Sequence, residues 1–351
     1  FYRDAKLYCI NLLLHYQGGC RANCLYCGQA RDVAGSSECK TLIRVEWPLR
    51  KLDEVIEKIK RTLGGGGFLR RYRICVSAIS NREAVEGEAE VVGRIYEALR
   101  IPVSVLISPS DFDGEEMKRL GELGAERAGI AIDCATRETF DLLRGKPARS
   151  IHSWESMLKG VEKAVEIFGS GKVGIHLIVG LGETEAEAAE IIQWSRDVGS
   201  ETHLFSFYPE SGSVLERWLR PHIGQYRRVQ LARYLIDNGF VQRKDMAFNE
   251  RGQVVSFGLD TRGVADIIDS GEPFMTSGCP GCNRPFANER PGEMIRNYPF
   301  PPTAKDLRAA KKQVWKHVPP RNSLRNLRRY LEKQHPGSCA EPSRSTDLHG
   351  R

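Results

Sequence analysis

The chain has 351 residues, 41% of them hydrophobic, enough to bury a large core as one barrel-sized domain or two ordinary ones. No apolar run reaches the roughly eighteen residues of a membrane span, and Phe1–Arg3 does not open a signal peptide, so membrane and secreted classes are set aside and a cytoplasmic location is expected. The net charge of +7 is unevenly placed: residues 301–351 hold twelve Lys or Arg against four Asp or Glu, a surplus of eight, whereas residues 1–300 together carry −1.

In chain order, "KLYCINLLLH" (6–15) suits a buried strand, and "LDEVIEKIKRTL" (52–63) has helical spacing. The pair recurs. "RYRICVSAIS" (71–80) precedes a helical stretch over 83–99, "IPVSVLIS" (101–108) precedes 113–123, and "RAGIAIDC" (127–134) precedes 136–143 and 152–168. "GKVGIHLIVG" (171–180) leads to 185–198, and "ETHLFSFYP" (201–209) leads to 221–238. Six alternations of apolar strand and amphipathic helix predict an α/β fold with a parallel sheet, curled into a partial or full (β/α) barrel of TIM type over residues 1–240. An open doubly wound sheet is the alternative. Residues 241–302 predict a loop-rich cap, with one further strand at "RGQVVSFG" (251–258). Two polar helices near 303–316 and 322–334 form a basic extension, and 335–351 is expected to be disordered. "GGGG" (64–67) follows a helix and lacks a Lys-Ser/Thr sequel, so it is read as a loop without phosphate-binding function.

"GGCRANCLYCGQAR" (18–31) places Cys20, Cys24 and Cys27 just after the first strand, where a parallel barrel gathers its active site. Ten cysteines without a secretory segment argue for reduced thiolates used as ligands. C-x-x-C alone suits zinc or a redox pair. The third cysteine, with no fourth nearby, instead suits a cubane of four irons that leaves one iron open to a small molecule.

C-x-x-x-C-x-x-C with Tyr26 before its last cysteine resembles the signature of the radical S-adenosylmethionine (SAM) enzymes. The resemblance implies a 4Fe-4S cluster whose open iron holds SAM, which is split to a deoxyadenosyl radical that takes hydrogen from substrate. Tyr26 would then pack near cluster and adenine, or simply anchor its loop. "IVGLGETE" (178–185) resembles the superfamily's adenine-contacting motif, which brings in Gly180 and Glu183; a plain strand-to-helix turn is the rival reading. His176 stands where that motif commonly has glycine and is read as a packed strand residue. "IAIDCATRE" (130–138) resembles a biotin synthase segment, making Asp133 a SAM-ribose partner or else a helix N-cap.

"MTSGCPGCNRPFANERPGE" (275–293) carries Cys279 and Cys282, which suit an auxiliary iron–sulfur cluster, zinc, or plain thiols. Strand position puts Cys75 and Cys134 on the active-site side and Cys9 at the opposite rim as a core thiol. Cys39 lies on a loop and Cys339 in the tail. "RICVSA" (73–78) resembles the biotin synthase segment carrying a ligand of its sulfur-donating cluster, although a second such ligand falls at Gly174 here. An arginine also ligates in that family, which puts Arg284 and Arg290 under watch. "TSGCPGCNRP" (276–285) with "LIRVEWP" (42–48) resembles a biotin-synthase-related family whose characterised members form half of a two-protein lipoyl synthase. That implies lipoate biosynthesis: a sulfurtransferase acting on an octanoyl chain of a lipoyl carrier protein, a sister radical SAM subunit, and a reductant of ferredoxin or flavodoxin type. Neither nucleic acid nor membrane is expected as partner. The basic C-terminal stretch would dock an acidic carrier, or be a solvated helix and loose end. Biotin-type sulfuration, a hydrogenase-maturation-type rearrangement and a non-catalytic iron–sulfur carrier are the alternatives.

Overall fold

Six parallel strands lie side by side in sequence order: β1 (Cys9–Leu13), β2 (Arg73–Ser77), β3 (Val103–Ile107), β4 (Ala125–Asp133), β5 (Val173–Val179) and β6 (Glu201–Ser206). The computed structural model describes residues 7–16, 18–33, 48–63, 72–284, 287–290 and 292–334. The helices follow their strands: α1 (Leu52–Leu63), α2 (Ala84–Leu99), α3 (Gly114–Glu122), α4 (Arg137–Arg144), α5 (Trp154–Phe168), α6 (Glu185–Asp197) and α7 (Ile223–Asp237). The predicted alternation is therefore present, as a partial barrel: β1 and β6 do not pair, so the curled sheet stays open between them. Loop 64–67, Cys39, Cys339, residues 42–47 and the tail 335–351 lie outside the described residues.

Local chemistry fixes the helix starts. Asp113 accepts from the Glu115 and Glu116 amides, Thr136 from Thr139, and Thr184 from Glu187, each occupying amides that the helix itself leaves free. The outer face of the sheet then buries against these helices through side chains such as Ile74, Val105, Ile130 and Ile175, all at most 1% exposed. The inner face is different. Its alternate positions carry Cys9 and Asn11 on β1, Cys75 on β2 and His176 on β5, polar groups of which Cys9, Cys75 and His176 line a cavity.

Beyond α7 the chain departs from expectation. The predicted strand at 251–258 is reduced to β8 (Val254–Ser256), which pairs antiparallel with β7 (Ala247–Phe248) outside the main sheet. The stretch expected to be loop contains α8 (Thr261–Ser270), capped by Asp260 on the Gly263 amide at 2.7 Å and ended by Gly271 at φ +77. Glycine and proline density hid its Val264–Ile268 pair, which buries one face.

The described residues between 275 and 297 then cross the open side of the barrel. The Leu204 and Ser206 amides of β6 donate to Ser277 Oγ (2.7 Å) and Asn288 Oδ1 (2.6 Å), and Asn297 Nδ2 donates back to the Leu204 carbonyl (2.9 Å). At the other lip the Tyr8 amide donates to Asn283 Oδ1 (3.1 Å), and Arg284 Nη2 donates to Asn11 Oδ1 (3.0 Å). An edge strand needs such partners for its unpaired amides and carbonyls. This crossing brings Cys279 and Cys282 to the first two strands.

α9 (Ala304–Val314) and α10 (Leu324–Gln334) come last among the described residues. Leu327 and Leu331 of α10 are buried, and Leu324 and Leu327 pack where Gly182 presents no side chain. Among the described residues, no helix is long and apolar enough to cross a membrane.

Candidate functional site

The loop 18–33 is pinned on several sides. The Arg21 amide donates to the Ser80 carbonyl (2.7 Å), the Leu25 amide to the Leu143 carbonyl (2.8 Å), and Asn23 Nδ2 to the Ala148 carbonyl (2.8 Å). Cys20, Cys24 and Cys27 thereby face one cavity of about 290 Å³ at the C-terminal ends of the strands, as predicted for a barrel site. Burial pushes the Cys24 thiol up to about 11 and raises Cys20 and Cys27 as well. Metal binding must therefore displace protons from these thiols. The Gln29 amide already donates to Cys27 Sγ at 3.4 Å. Three thiols on one short loop beside a roomy cavity fit a cluster with an open metal position and a small molecule beside it. Among the described residues no three His, Cys, Asp or Glu side chains converge for a single metal ion; thiols of a multi-iron cluster bind different irons and need not.

Asp133 forms the facing wall. Its φ of +64 is left-handed, at a register break in the β4–β5 ladder between Ala131 and Asp133. A side-chain-bearing residue holds that conformation only when its surroundings enforce it. Tyr26 donates to Asp133 Oδ2 at 2.6 Å, and Arg144 Nη1 donates to the same oxygen at 2.7 Å and to the Ala131 carbonyl at 2.6 Å. Tyr26 thus anchors its loop through Asp133 while lining the cavity. The rival N-cap role for Asp133 is taken by Thr136. Arg144 was not foreseen: it lies eleven residues on, in α4, and its motif-free surroundings give no signal of this contact.

Gly180 and Glu183 do not line the cavity. A side chain at Gly180, where φ is +113, would strike Pro221 at 2.7 Å. Glu183 accepts from the Gly180 and Leu181 amides at 2.6 and 2.9 Å, and burial raises its carboxyl to about 8. The close approach expected at this glycine is thus to the protein itself. His152 also lines the cavity unforeseen, with Nδ1 2.7 Å from Ser110 Oγ; burial, then Arg144 and Arg21, push its pKa far down, so its ring is neutral.

A second cavity lies deeper in the barrel, lined by Cys9, Cys75, Cys279 and Cys282. Two placements correct the sequence reading. Cys9 is buried but shares this cavity instead of sitting apart as a core thiol, because its side chain points to the inner face and the 275–297 crossing covers that end. Cys75 occupies the middle of β2, one inner-face step below Ser77, instead of its mouth end. Cys134, expected on the active-site side, is fully buried and lines neither cavity. Ser104 Oγ donates to Cys279 Sγ at 3.2 Å, while burial raises that thiol. Cys75 and Cys282 are each lowered to about 6, first by hydrogen bonding from Cys9 and further by the Arg284 charge. Of the two arginines under watch, Arg284 lines the cavity with Nη2 3.9 Å from Cys75 Sγ, whereas Arg290 is exposed and lies over the Tyr208 ring.

The two cavities share walls: Leu106, His176, Phe205, Arg284 and Ala287 line both. His176, read from sequence as a packed strand residue, does pack, with its ring 5.5 Å from His203 and 5.0 Å from Phe205, but at this partition. Burial holds both imidazoles neutral.

The model of the radical SAM superfamily matches residues 14–195, more than half of the 351. Biotin synthase of Aquifex aeolicus is 27% identical over 206 residues, 57% of this chain and 55% of the relative. Biotin synthase of Persephonella marina is 25% identical over 203 residues, 57% of this chain and 54% of the relative. The chain thus spans little more than half the length of these curated relatives. Among solved structures, methylornithine synthase has a TM-score of 0.49 at 16% identity, covering 68% of this chain and 64% of that one. The FeFe-hydrogenase maturase of Carboxydothermus hydrogenoformans has 0.47 at 18%, covering 67% and 53%.

Proposed function

Because the chain belongs to the radical SAM superfamily, we propose that it is a sulfur-inserting member, acting on an octanoyl chain attached to a lipoyl carrier protein. The observation that carries this reading is the adjacency of two thiol-lined cavities, one at the barrel mouth and one beneath it, separated by a partition of a few side chains. When bound, a 4Fe-4S cluster with SAM supplies a radical able to take hydrogen from a saturated C–H bond, and a second cluster supplies sulfur to the carbon left behind. Such a bond resists acid–base chemistry. No side chain of this protein is therefore assigned as its general base.

The chain's own residues do the holding. Cys20, Cys24 and Cys27 ligate the first cluster, while Asp133, oriented by Tyr26 and Arg144, offers its other carboxylate oxygen to a ribose hydroxyl. Cys75, Cys279 and Cys282 serve the second, and Arg284 balances their charge. Leu106 and Phe205, on the shared wall, suit an acyl chain. The basic helix α10 flanks the mouth: Tyr330 donates to the Val214 carbonyl at 2.9 Å, and the Leu215 amide donates to the Leu25 carbonyl of the cysteine loop at 3.0 Å. Its exposed Arg325, Arg329 and Lys333 present positive charge to an acidic carrier. Electrons come from a donor of ferredoxin or flavodoxin type, and a sister radical SAM subunit inserts the other sulfur.

The test is anaerobic incubation of the reconstituted protein with SAM, a low-potential reductant and an octanoylated carrier peptide. The expected result is deoxyadenosine together with a peptide mass gain of one sulfur atom. Deoxyadenosine without sulfur gain on the peptide overturns the assignment. The biotin synthase relatives favour one competitor, sulfuration of a small biotin precursor, and offering that precursor in parallel separates the two.

A further inference from the structure

The deeper cavity contains one more thiol than the sequence assigned to it. Cys9 and Cys75 stand on the inner faces of adjacent strands, Cys9 level with Arg73 and Cys75 level with Asn11. The 275–297 crossing, tied to Tyr8 and Asn11 through Asn283 and Arg284, sets Cys279 and Cys282 over them. Cys9 Sγ makes a polar contact, donating to Asn11 Oδ1 at 3.7 Å, and lines the same cavity as Cys75 and Cys282. A thiol serving as core filler would instead meet apolar neighbours.

A second observation points to a ligand in this space. Three buried nitrogens around the cavity, Arg73 Nε, Arg284 Nε and His203 Nε2, have no hydrogen-bond partner among the described residues. Buried polar groups left in that state are costly unless something absent from the protein itself satisfies them. Arg284 beside four thiols also describes a place suited to an anionic sulfur-ligated group, since several thiolates cannot be buried together without compensating charge; Arg73, ion-paired with Glu126 at 2.7 Å, adds a donor and not a free charge.

We infer that Cys9 is a ligand of the second cluster, giving that cluster four protein thiolates: Cys9, Cys75, Cys279 and Cys282. The inference rests on the proposal above that a second iron–sulfur cluster exists. With four thiolates, each iron of a cubane has its own protein ligand, in contrast to the first cluster, whose three thiols leave one iron for SAM. Arg284 is then a charge partner and not a ligand. Ligation releases to solvent the protons that the thiols still carry and involves no electron transfer.

The experiment uses the full chain, reconstituted anaerobically with iron and sulfide, as wild type, Cys9→Ala, Cys9→Ser and the Cys279→Ala/Cys282→Ala double variant. Iron and sulfide are counted, and Mössbauer and EPR spectra are recorded without SAM. Wild type is expected to bind about eight irons per chain, and Cys9→Ala and the double variant about four each. Cys9→Ser, nearly isosteric, is expected to change the spectrum of the second cluster by replacing one sulfur ligand with oxygen. Thermal unfolding midpoints of the apo proteins show whether the variants fold. Should Cys9→Ala not fold, the serine spectrum decides. Wild-type iron content and an unchanged serine spectrum, with four irons lost from the double variant, overturn the role of Cys9 alone. About four irons in wild type overturn the second cluster itself.

Discussion

Arg144→Met, Asp133→Asn and their combination test whether the left-handed turn facing the cysteine loop is held by its ion pair. Arg144 and Asp133 side chains are 4% and 13% exposed and meet at 2.7 Å. Methionine keeps the stem that packs by Phe140, over whose ring the guanidinium now lies at 5.2 Å, but removes the charge and the donors to the Ala131, Ile132 and Asp133 oxygens. Leaving one member of a buried pair alone costs about 3–5 kcal/mol. Tyr26 still donates to Asp133, the Cys134 amide still serves the Ile132 carbonyl, and the cavity admits water, so the lower end, about 3 kcal/mol, is expected. Urea unfolding of the apo proteins gives each stability, and the cycle isolates the pair: a coupling of about 1.5–3 kcal/mol is expected for residues in one buried network. SAM binding to the reconstituted variants is expected to weaken about tenfold or more, the loss of about one charge-assisted hydrogen bond. Single costs that add, with coupling below about 0.5 kcal/mol, would show that the backbone holds Asp133 without the ion pair.

Two further outcomes follow from other elements. Burial raises the Asp237 carboxyl from 3.8 to about 7 despite Arg233 nearby. Between those values the folded chain holds a proton that the unfolded chain has released, so unfolding free energy should fall as pH rises from about 4 to 7; Asp237→Asn should flatten that slope, and urea titrations at several pH values check it. Reversing charge on the exposed face of α10, with Arg325→Glu, Arg329→Glu and Lys333→Glu, should slow association with an acidic lipoyl carrier about tenfold at low salt, as read by stopped-flow. The difference should close towards 1 M salt, where the screening length is about 3 Å. Charge reversal is preferable to deleting 303–351, because Leu327 and Leu331 are buried and truncation would uncover their contacts.

The mouth of the barrel was readable because its signals are local. Three cysteines in eight residues need only the strand before them to be placed, and six strand–helix alternations place that strand. Arg144 was not readable, since what aims it at Asp133 is the docking of α4 beneath a register break in β4.

The deeper cavity was half readable, and the way it was missed is instructive. Strands of a parallel barrel are commonly apolar on both faces, yet alternate residues here give Cys9 and Asn11, Arg73 and Cys75, Gly174 and His176. Sorting the thiols by height along a strand put Cys9 at its true rim, the start of β1, but set it apart from Cys75 as core; sorting them by face puts Cys9 and Cys75 on one polar inner surface. Gly174 marks the limit of either method. A Cβ there would come within 2.3 Å of the His203 ring, so the missing side chain on β5 makes room for an imidazole from β6. That exchange between neighbouring strands is fixed by register, Gly174 against Glu201 and His176 against His203, and a single strand read alone does not contain it. The same holds for Cys279 and Cys282, whose arrival at β1 depends on a segment that satisfies the open edge of β6 before reaching across to Tyr8.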